Sequence, residues 1–425
     1  MRIAVIGSGI AGLASAWMLS RHHAVTLFEA NDYFGGHTHT HRVKVHGEHH
    51  VVDTGFIVHN RAHYPLLHAL FDELGVASRP TTMSFSVTHE HAGLEYNAST
   101  LDTLFCQRRN LWSPRFWGMV NDLFRFYREA PSLLRQAGVG PTLVDYLDEH
   151  GYGRTFRDEH LIPMASALWS SPSRQILRFP ARYLVHFMAN HQMLQIRGRP
   201  QWEVVAGGSS TYVQAMRQRW SVDERLGCLV RSVERRDGTV MVTSFEGVET
   251  FDHVVMACHS DQALALLADA TDREHAILGA LTYQANETVL HTDARVLPRQ
   301  RKAWAAWNAF IPAEPEAACT VSYCMNLLQG FRSSEPLVVS LNQSRWIDPV
   351  KVLRRMTYHH PVYTTASVTA QARKQEIQGQ RGTWYAGAYW GWGFHEDGMR
   401  SAVEVAQALG ANALEKRQEQ VEADV

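Results

Sequence analysis

Six residues near the amino terminus, Gly7-Ser8-Gly9-Ile10-Ala11-Gly12, have the spacing with which a backbone turn cradles a pyrophosphate. Gly7 permits the tight turn, Gly9 lets phosphate approach the backbone, and Gly12 lets a helix pack closely on a strand. Glu29 supplies a carboxylate that can accept both hydroxyls of an adenosine ribose and that disfavours a 2′-phosphate. These residues bind a dinucleotide and do no chemistry themselves. Which dinucleotide they bind is left open by the motif.

The elements needed to position them are present. Residues 2–6 read as a buried strand, 13–19 as a helix and 24–28 as a second strand that delivers Glu29. This βαβ setting places free N–H groups and the positive end of a helix dipole at the phosphates.

Composition narrows the function classes. The chain has 425 residues, enough for two domains. A net charge of −1 creates no broad field for nucleic acid, and none is expected as a partner. Cys106, Cys228, Cys258, Cys319 and Cys324 are odd in number and form no CxxC pair, which suits a reducing cytoplasm. Arg2, the following apolar run and Ala14-Ser15-Ala16 imitate a signal peptide, but cleavage would remove the glycine motif, so a cytoplasmic location is expected. No run reaches the roughly 18 apolar residues of a membrane span.

Further motifs follow. Gly35-Gly36-His37-Thr38 comes shortly after Glu29, and residues 51–56, ending Asp53-Thr54-Gly55-Phe56, read as a strand and turn. Residues 202–210 carry Gly207-Gly208 before a helix, and 228–233, 238–243 and 251–258 read as strands. Residues 382–388 read as a strand ending in the turn at Gly387. Gly393 to Ala402 then leads into a helix over 403–409.

In these motifs the chain resembles the flavin-containing amine oxidase superfamily, which includes monoamine oxidases, protoporphyrinogen oxidase and carotenoid desaturases. The resemblance implies an α/β fold: a discontinuous Rossmann-type FAD-binding domain over 1–80, 200–262 and 375–425, and a mixed α+β substrate domain over 81–199 and 263–374. It implies non-covalent FAD held by Gly7, Ser8, Gly9, Ala11, Gly12, Glu29, Gly36, His37, Thr38, Gly55 and Phe56. It also implies Val230 at the adenine, Gly387 near the phosphates or ribityl chain, and Gly398, Met399 and Ser401 at the flavin ring. His37 stands where the family has Arg, and a neutral imidazole cannot reproduce a fixed charge. His37, His39 and His41 alternate, but the first holds a flavin-motif position, and no metal site is expected. The lysine that monoamine oxidase-like proteins place near the flavin has no counterpart in residues 284–291, and Lys302 falls outside that stretch. No second glycine fingerprint in a βαβ setting exists for NAD(P)H, so the substrate itself is expected to reduce the flavin.

Catalytic side chains are unassigned. Tyr389, Trp390 and Trp392 are candidates for the substrate pocket, the two tryptophans sharing a face if the stretch is extended. Trp304, Trp307 and Asn308 are weaker candidates, and His259 and His291 are read mainly as structural. In the first insertion, Trp117, Val120, Phe124 and Tyr127 fall at helical spacing, widened by Phe116, Met119, Leu123 and Phe126 and interspersed with arginines. The expectation is a helix packed into the substrate domain, with peripheral membrane contact as the alternative.

The segments 53–58, 163–170, 290–293 and 393–398 resemble a bacterial subgroup of predicted NAD/FAD-binding proteins associated with cyclopropane-fatty-acid-synthase-like methyltransferases. That resemblance implies an oxidase or desaturase acting on a modified fatty acyl chain. Two alternatives remain: an amine oxidase, and a non-catalytic flavin-binding partner of a lipid methyltransferase.

Overall fold

The computed structural model describes residues 1–314 and 318–411. The charged tail after Leu414 lies outside the described residues. A five-stranded parallel sheet runs in the order Val222–Leu226, Ala24–Glu29, Arg2–Ile6, His253–Met256, Thr383–Tyr385. Its strands come from distant parts of the chain. The three central strands read as short apolar runs because both of their faces are covered, whereas the edge strand Val222–Leu226 is polar and partly exposed. The first helix, Ile10–Leu19, and the last, His395–Ala408, pack together on one face, with every residue of the first buried.

The opposite face of the parallel sheet packs on a three-stranded antiparallel sheet, Val230–Arg236, Thr239–Ser244 and Gly247–Phe251, and on the helices Ser260–Leu266 and Asp272–Leu278. A separate seven-stranded sheet has the order Val352–Pro361, Tyr283–His291, Val338–Leu341, Val321–Cys324, Trp307–Ile311, Phe85–His89, Leu94–Asn97. It is antiparallel except where Trp307–Ile311 pairs in parallel with Phe85–His89. The mixed α/β class expected from the sequence is therefore observed. The segment between residues 98 and 190 is helical and packs on this sheet through a core that includes Phe116, Phe126, Tyr146, Phe156 and Leu184.

Several local readings are corrected. The last helix begins at His395, not 403, so Gly398 and Met399 lie in its first turns. The run 251–258 is two strands, Gly247–Phe251 and His253–Met256, with a turn at Asp252. The aromatic stretch is not extended: Ala388–Trp390 is a 3₁₀ turn. This sends Trp390 toward Lys374 and Trp392 toward Phe187 and His191.

Candidate active site

A single cavity of about 1400 Å³ runs from the glycine loop to the helix Pro114–Glu129. Ligand pockets usually span roughly 300–1,000 Å³, so there is room for more than one molecule. Its inner end is lined by Gly7, Ser8, Gly9, Ala11, Glu29, Gly36, His37, Gly55, Phe56, Val230 and Gly387. The fold thus gathers residues from six separate stretches of chain around one space.

The glycines divide by role. A Cβ on Gly12 would collide with the Gly7 carbonyl oxygen, so Gly12 serves helix–strand packing. A Cβ on Gly9 would meet nothing within 4 Å. Nothing in the protein requires glycine there, and open space at a helix N-terminus is what a pyrophosphate needs. Gly7 has φ +100°, a left-handed turn that ends the first strand. Glu29 is buried, and Oε2 accepts hydrogen bonds from Ser8 N at 2.9 Å and Ser8 Oγ at 2.5 Å. Oε1 accepts from Asn31 N and Nδ2, each at 2.8 Å. These bonds fix the carboxylate at the cavity edge. The cradle fits a flavin dinucleotide.

His37 is half-buried, its Nε2 is enclosed without a partner, and its ring lies 5.1 Å from Tyr358 and 5.2 Å from His360. Burial, then the neighbouring His259, His359 and His39, lower its pKa to about 4. It is neutral at pH 7 and offers one unused nitrogen to the cavity. His395 opens the last helix, stacks on Phe56 with centroids 3.7 Å apart and lies 3.1 Å from Thr38 Oγ1.

The other proposed contacts are one layer back. Gly12, Thr38, Gly398, Met399 and Ser401 do not line the cavity. Met399 is buried in the core with the first helix. Ser401 Oγ accepts from Gly387 N at 2.9 Å and donates to Gly398 O, holding the Gly387 turn on the last helix. Glu396 accepts from Leu66 N and Leu67 N, capping the helix Pro65–Leu74. Asp397 accepts from Trp392 N and Phe394 N. Asp53, fully buried, accepts from Ser209 N and Oγ and so positions the Gly207-Gly208 turn. The acidic signature residues are structural pins.

Tyr389 lines the cavity; Trp390 and Trp392 do not, because the 3₁₀ turn points them elsewhere. Trp307 and His259 line it, whereas Trp304, Asn308 and His291 do not. His291 is bonded to Ser340 Oγ and Asp293 N. Lys302 lies outside, paired with Asp102 at 3.0 Å. Among the described residues, no lysine lines the cavity, and Glu29 is its one carboxylate.

The sequence reading missed Tyr283, Tyr323, Tyr358, His359 and His360, which form much of the middle wall. Tyr358 to His360 belong to the strand Val352–Pro361, whose basic, polar start concealed it. Toward the outside the lining turns apolar: Leu104, Met119, Val120, Leu123, Met164 and Leu168. Leu101, Phe124 and Ile196 line the cavity yet are 76%, 47% and 63% exposed, so they mark its mouth.

A parallel sheet carrying a dinucleotide cradle, joined to an apolar cavity, defines an oxidoreductase of the nucleotide-cofactor type. A family model for flavin-containing amine oxidoreductases matches residues 10–306, and the chain belongs to that family. It is a flavin-dependent oxidoreductase. No curated protein sequence matches it. Among solved structures, a CLA-producing fatty acid isomerase from P. acnes is 16% identical, with 96% of this chain and 98% of that one covered and a TM-score of 0.66. Cyclohexylamine oxidase from Brevibacterium oxydans IH-35A is also 16% identical, with the same coverage and a TM-score of 0.67. A putrescine oxidase bound to putrescine is 13% identical over 97% of this chain and 100% of that one, with a TM-score of 0.68. At such identities the likeness establishes the fold.

Proposed function

We propose that this protein oxidises or desaturates a long acyl chain, passing a hydride from it to non-covalently bound FAD. The observation that carries the reading is the cavity itself: one passage, apolar in its outer part, joins the dinucleotide cradle to a mouth rimmed by exposed Leu101, Phe124 and Ile196. Gly9, Glu29, Gly36, His37 and Val230 would hold the dinucleotide, and Gly55, Phe56 and Gly387 its inner portion. A bound flavin supplies a two-electron acceptor. The protein needs only to position a carbon and exclude water.

The chain's own residues suit that task. Leu123, Val120, Met119 and Leu104 remove the acyl chain from water at about 0.8 kcal/mol per methylene. Arg199 is the arginine in the lining, with Nη2 3.5 Å from Tyr127 Oη, and it has no carboxylate partner among the described residues. It can hold an acyl carboxylate at the mouth. An amine is supported less well. Glu29, the one carboxylate of the lining, is already engaged by Ser8 and Asn31, so an ammonium finds no counter-charge.

The mouth also supports access from a lipid surface. Trp117 is exposed on the same helix as Phe124, and Leu111 and Trp112 are exposed in the turn before it, with Arg108, Arg109, Arg115 and Arg128 nearby in the chain. Apolar groups flanked by basic ones are how a helix lies in a bilayer interface. No described helix is long and apolar enough to cross a membrane.

The test is anaerobic reduction of the FAD-loaded protein, followed by its absorbance. Fatty acids or acyl phospholipids are expected to bleach the flavin, and a panel of primary amines is not. Bleaching by amines alone would overturn the proposal. Acid precipitation is expected to release all of the flavin into the supernatant.

A further inference from the structure

Behind the cavity wall, three side chains from three elements converge. His59 ends the strand Val58–His59, His68 lies in the helix Pro65–Leu74, and Glu203 lies in the strand Trp202–Val205, where it is the pairing partner of His59. His59 and His68 are buried, and the Glu203 side chain is one-fifth exposed. His59 Nδ1 and His68 Nε2 are 2.9 Å apart. Glu203 Oε2 lies 3.9 Å from the first and 3.5 Å from the second.

These three distances share the same three atoms and therefore define a triangle. The point equidistant from its corners is about 2.0 Å from each, which is the bond length of zinc to imidazole nitrogen and carboxylate oxygen. Hydrogen bonding does not account for the cluster. One imidazole can donate to the other, but Glu203 Oε2 is buried and accepts from no donor. A buried carboxylate oxygen left in that state is costly. A dication would satisfy all three lone pairs together.

We propose that His59, His68 and Glu203 form a binding site for one divalent cation of the zinc type, with a fourth position open to water. Ser78 Oγ, 3.4 Å from His59 Nε2, lies where it can orient that ring. The exposed edge of Glu203 gives an entry path. The site would tie three elements together: the two strands and the helix Pro65–Leu74. Phe56 stands three residues before His59, its ring 6.1 Å from that imidazole, so the ion would also brace a wall of the cavity. Its role is to position that segment, not to touch substrate.

The test uses the full-length, FAD-loaded protein after chelator treatment and dialysis. Zinc is titrated in competition with a chromophoric chelator, and metal content is measured directly. One equivalent per chain is expected, with a higher thermal midpoint once it is bound. Glu203→Gln and His68→Gln are expected to weaken binding by at least about 100-fold. Cobalt(II) added to the wild type gives a readout that needs no variant: intense visible bands of a four-coordinate N/O site are expected. Undetectable zinc, equal binding by wild type and Glu203→Gln, or the weak spectrum of hydrated cobalt would each overturn the proposal.

Discussion

At the residue scale, two glycines of one motif carry different duties, and substitution separates them. Gly9 faces open space, whereas Gly12 is pressed against the Gly7 carbonyl. Gly9→Ala is expected to leave the thermal midpoint of the FAD-free protein within about 1 °C of wild type while weakening FAD binding at least tenfold, because only the ligand meets the new methyl. Gly12→Ala is expected to lower the midpoint of the FAD-free protein itself. Calorimetry and equilibrium dialysis on both variants check this; equal midpoints would remove the distinction. His37 bears on the same site. Burial and three neighbouring histidines hold its pKa near 4, so the ring that replaces the family's arginine is uncharged. FAD affinity should therefore be nearly flat between about pH 6 and 8, and a marked rise on acidification would show that His37 takes up a proton there.

At the element scale, the parallel sheet is tied to its neighbours by a buried ionic network. Arg235, from the strand Val230–Arg236, donates to both oxygens of Glu274, at 2.7 and 3.0 Å, and pairs with Asp269 at 2.7 Å. Tyr385, from the sheet-edge strand Thr383–Tyr385, also donates to Glu274. Burial opposes ionisation of Glu274, yet the bonds from Arg235, Thr271 and Tyr385 outweigh it and hold its pKa near 2. Glu274→Ala leaves a buried guanidinium with less compensation and is expected to cost about 3–5 kcal/mol by chemical denaturation. The helix Pro114–Glu129 shows a different economy. Phe116, Met119 and Phe126 are buried, as the packed-helix reading requires, but Trp117 and Phe124 remain 47% exposed on its outer side. If that face meets lipid, Trp117→Ser, at a residue outside the cavity lining, should weaken sedimentation with anionic vesicles and leave bleaching by detergent-dispersed fatty acid intact. Undiminished sedimentation would remove this helix from the interface.

At the scale of the whole molecule, the packing of two sheets and a helical layer encloses many neutral histidines. Burial lowers the pKa of His160 and His291 to about 4 and that of His360 to about 3. An unfolded chain protonates these rings near 6.5. The unfolded state therefore binds more protons between about pH 4 and 6.5, and stability must fall as pH falls through that window. Stability from these groups is fully present above 6.5. Thermal midpoints measured across the range should drop steadily on acidification; a midpoint constant down to pH 4.5 would contradict the buried, neutral assignment. The enclosed cavity depends on the same packing, since its walls come from both sheets and the helical layer.

The glycine loop, Glu29 and the flanking strands were legible in the sequence because local backbone sterics demand them: a tight turn, a close crossing and a helix N-terminus each constrain residues only a few positions apart. Of the mixed α/β class, only the first βαβ unit was legible from local pattern; the rest came as what the family resemblance of these motifs implies. The last helix was started too late because Gly393 and Gly398 read as loop, whereas tertiary packing against Ile10 and the cap by Asp397, which accepts from Phe394 N, make the second glycine helical. Trp390 and Trp392 could not be placed because one 3₁₀ turn decides which way each ring faces. The middle wall of Tyr283, Tyr358 and His360, the mouth around Phe124, and the meeting of His59, His68 and Glu203 all join residues distant in the chain. Only the closed fold brings such groups within contact distance, so only the tertiary structure decided what surrounds the cofactor that the sequence by itself had already implied.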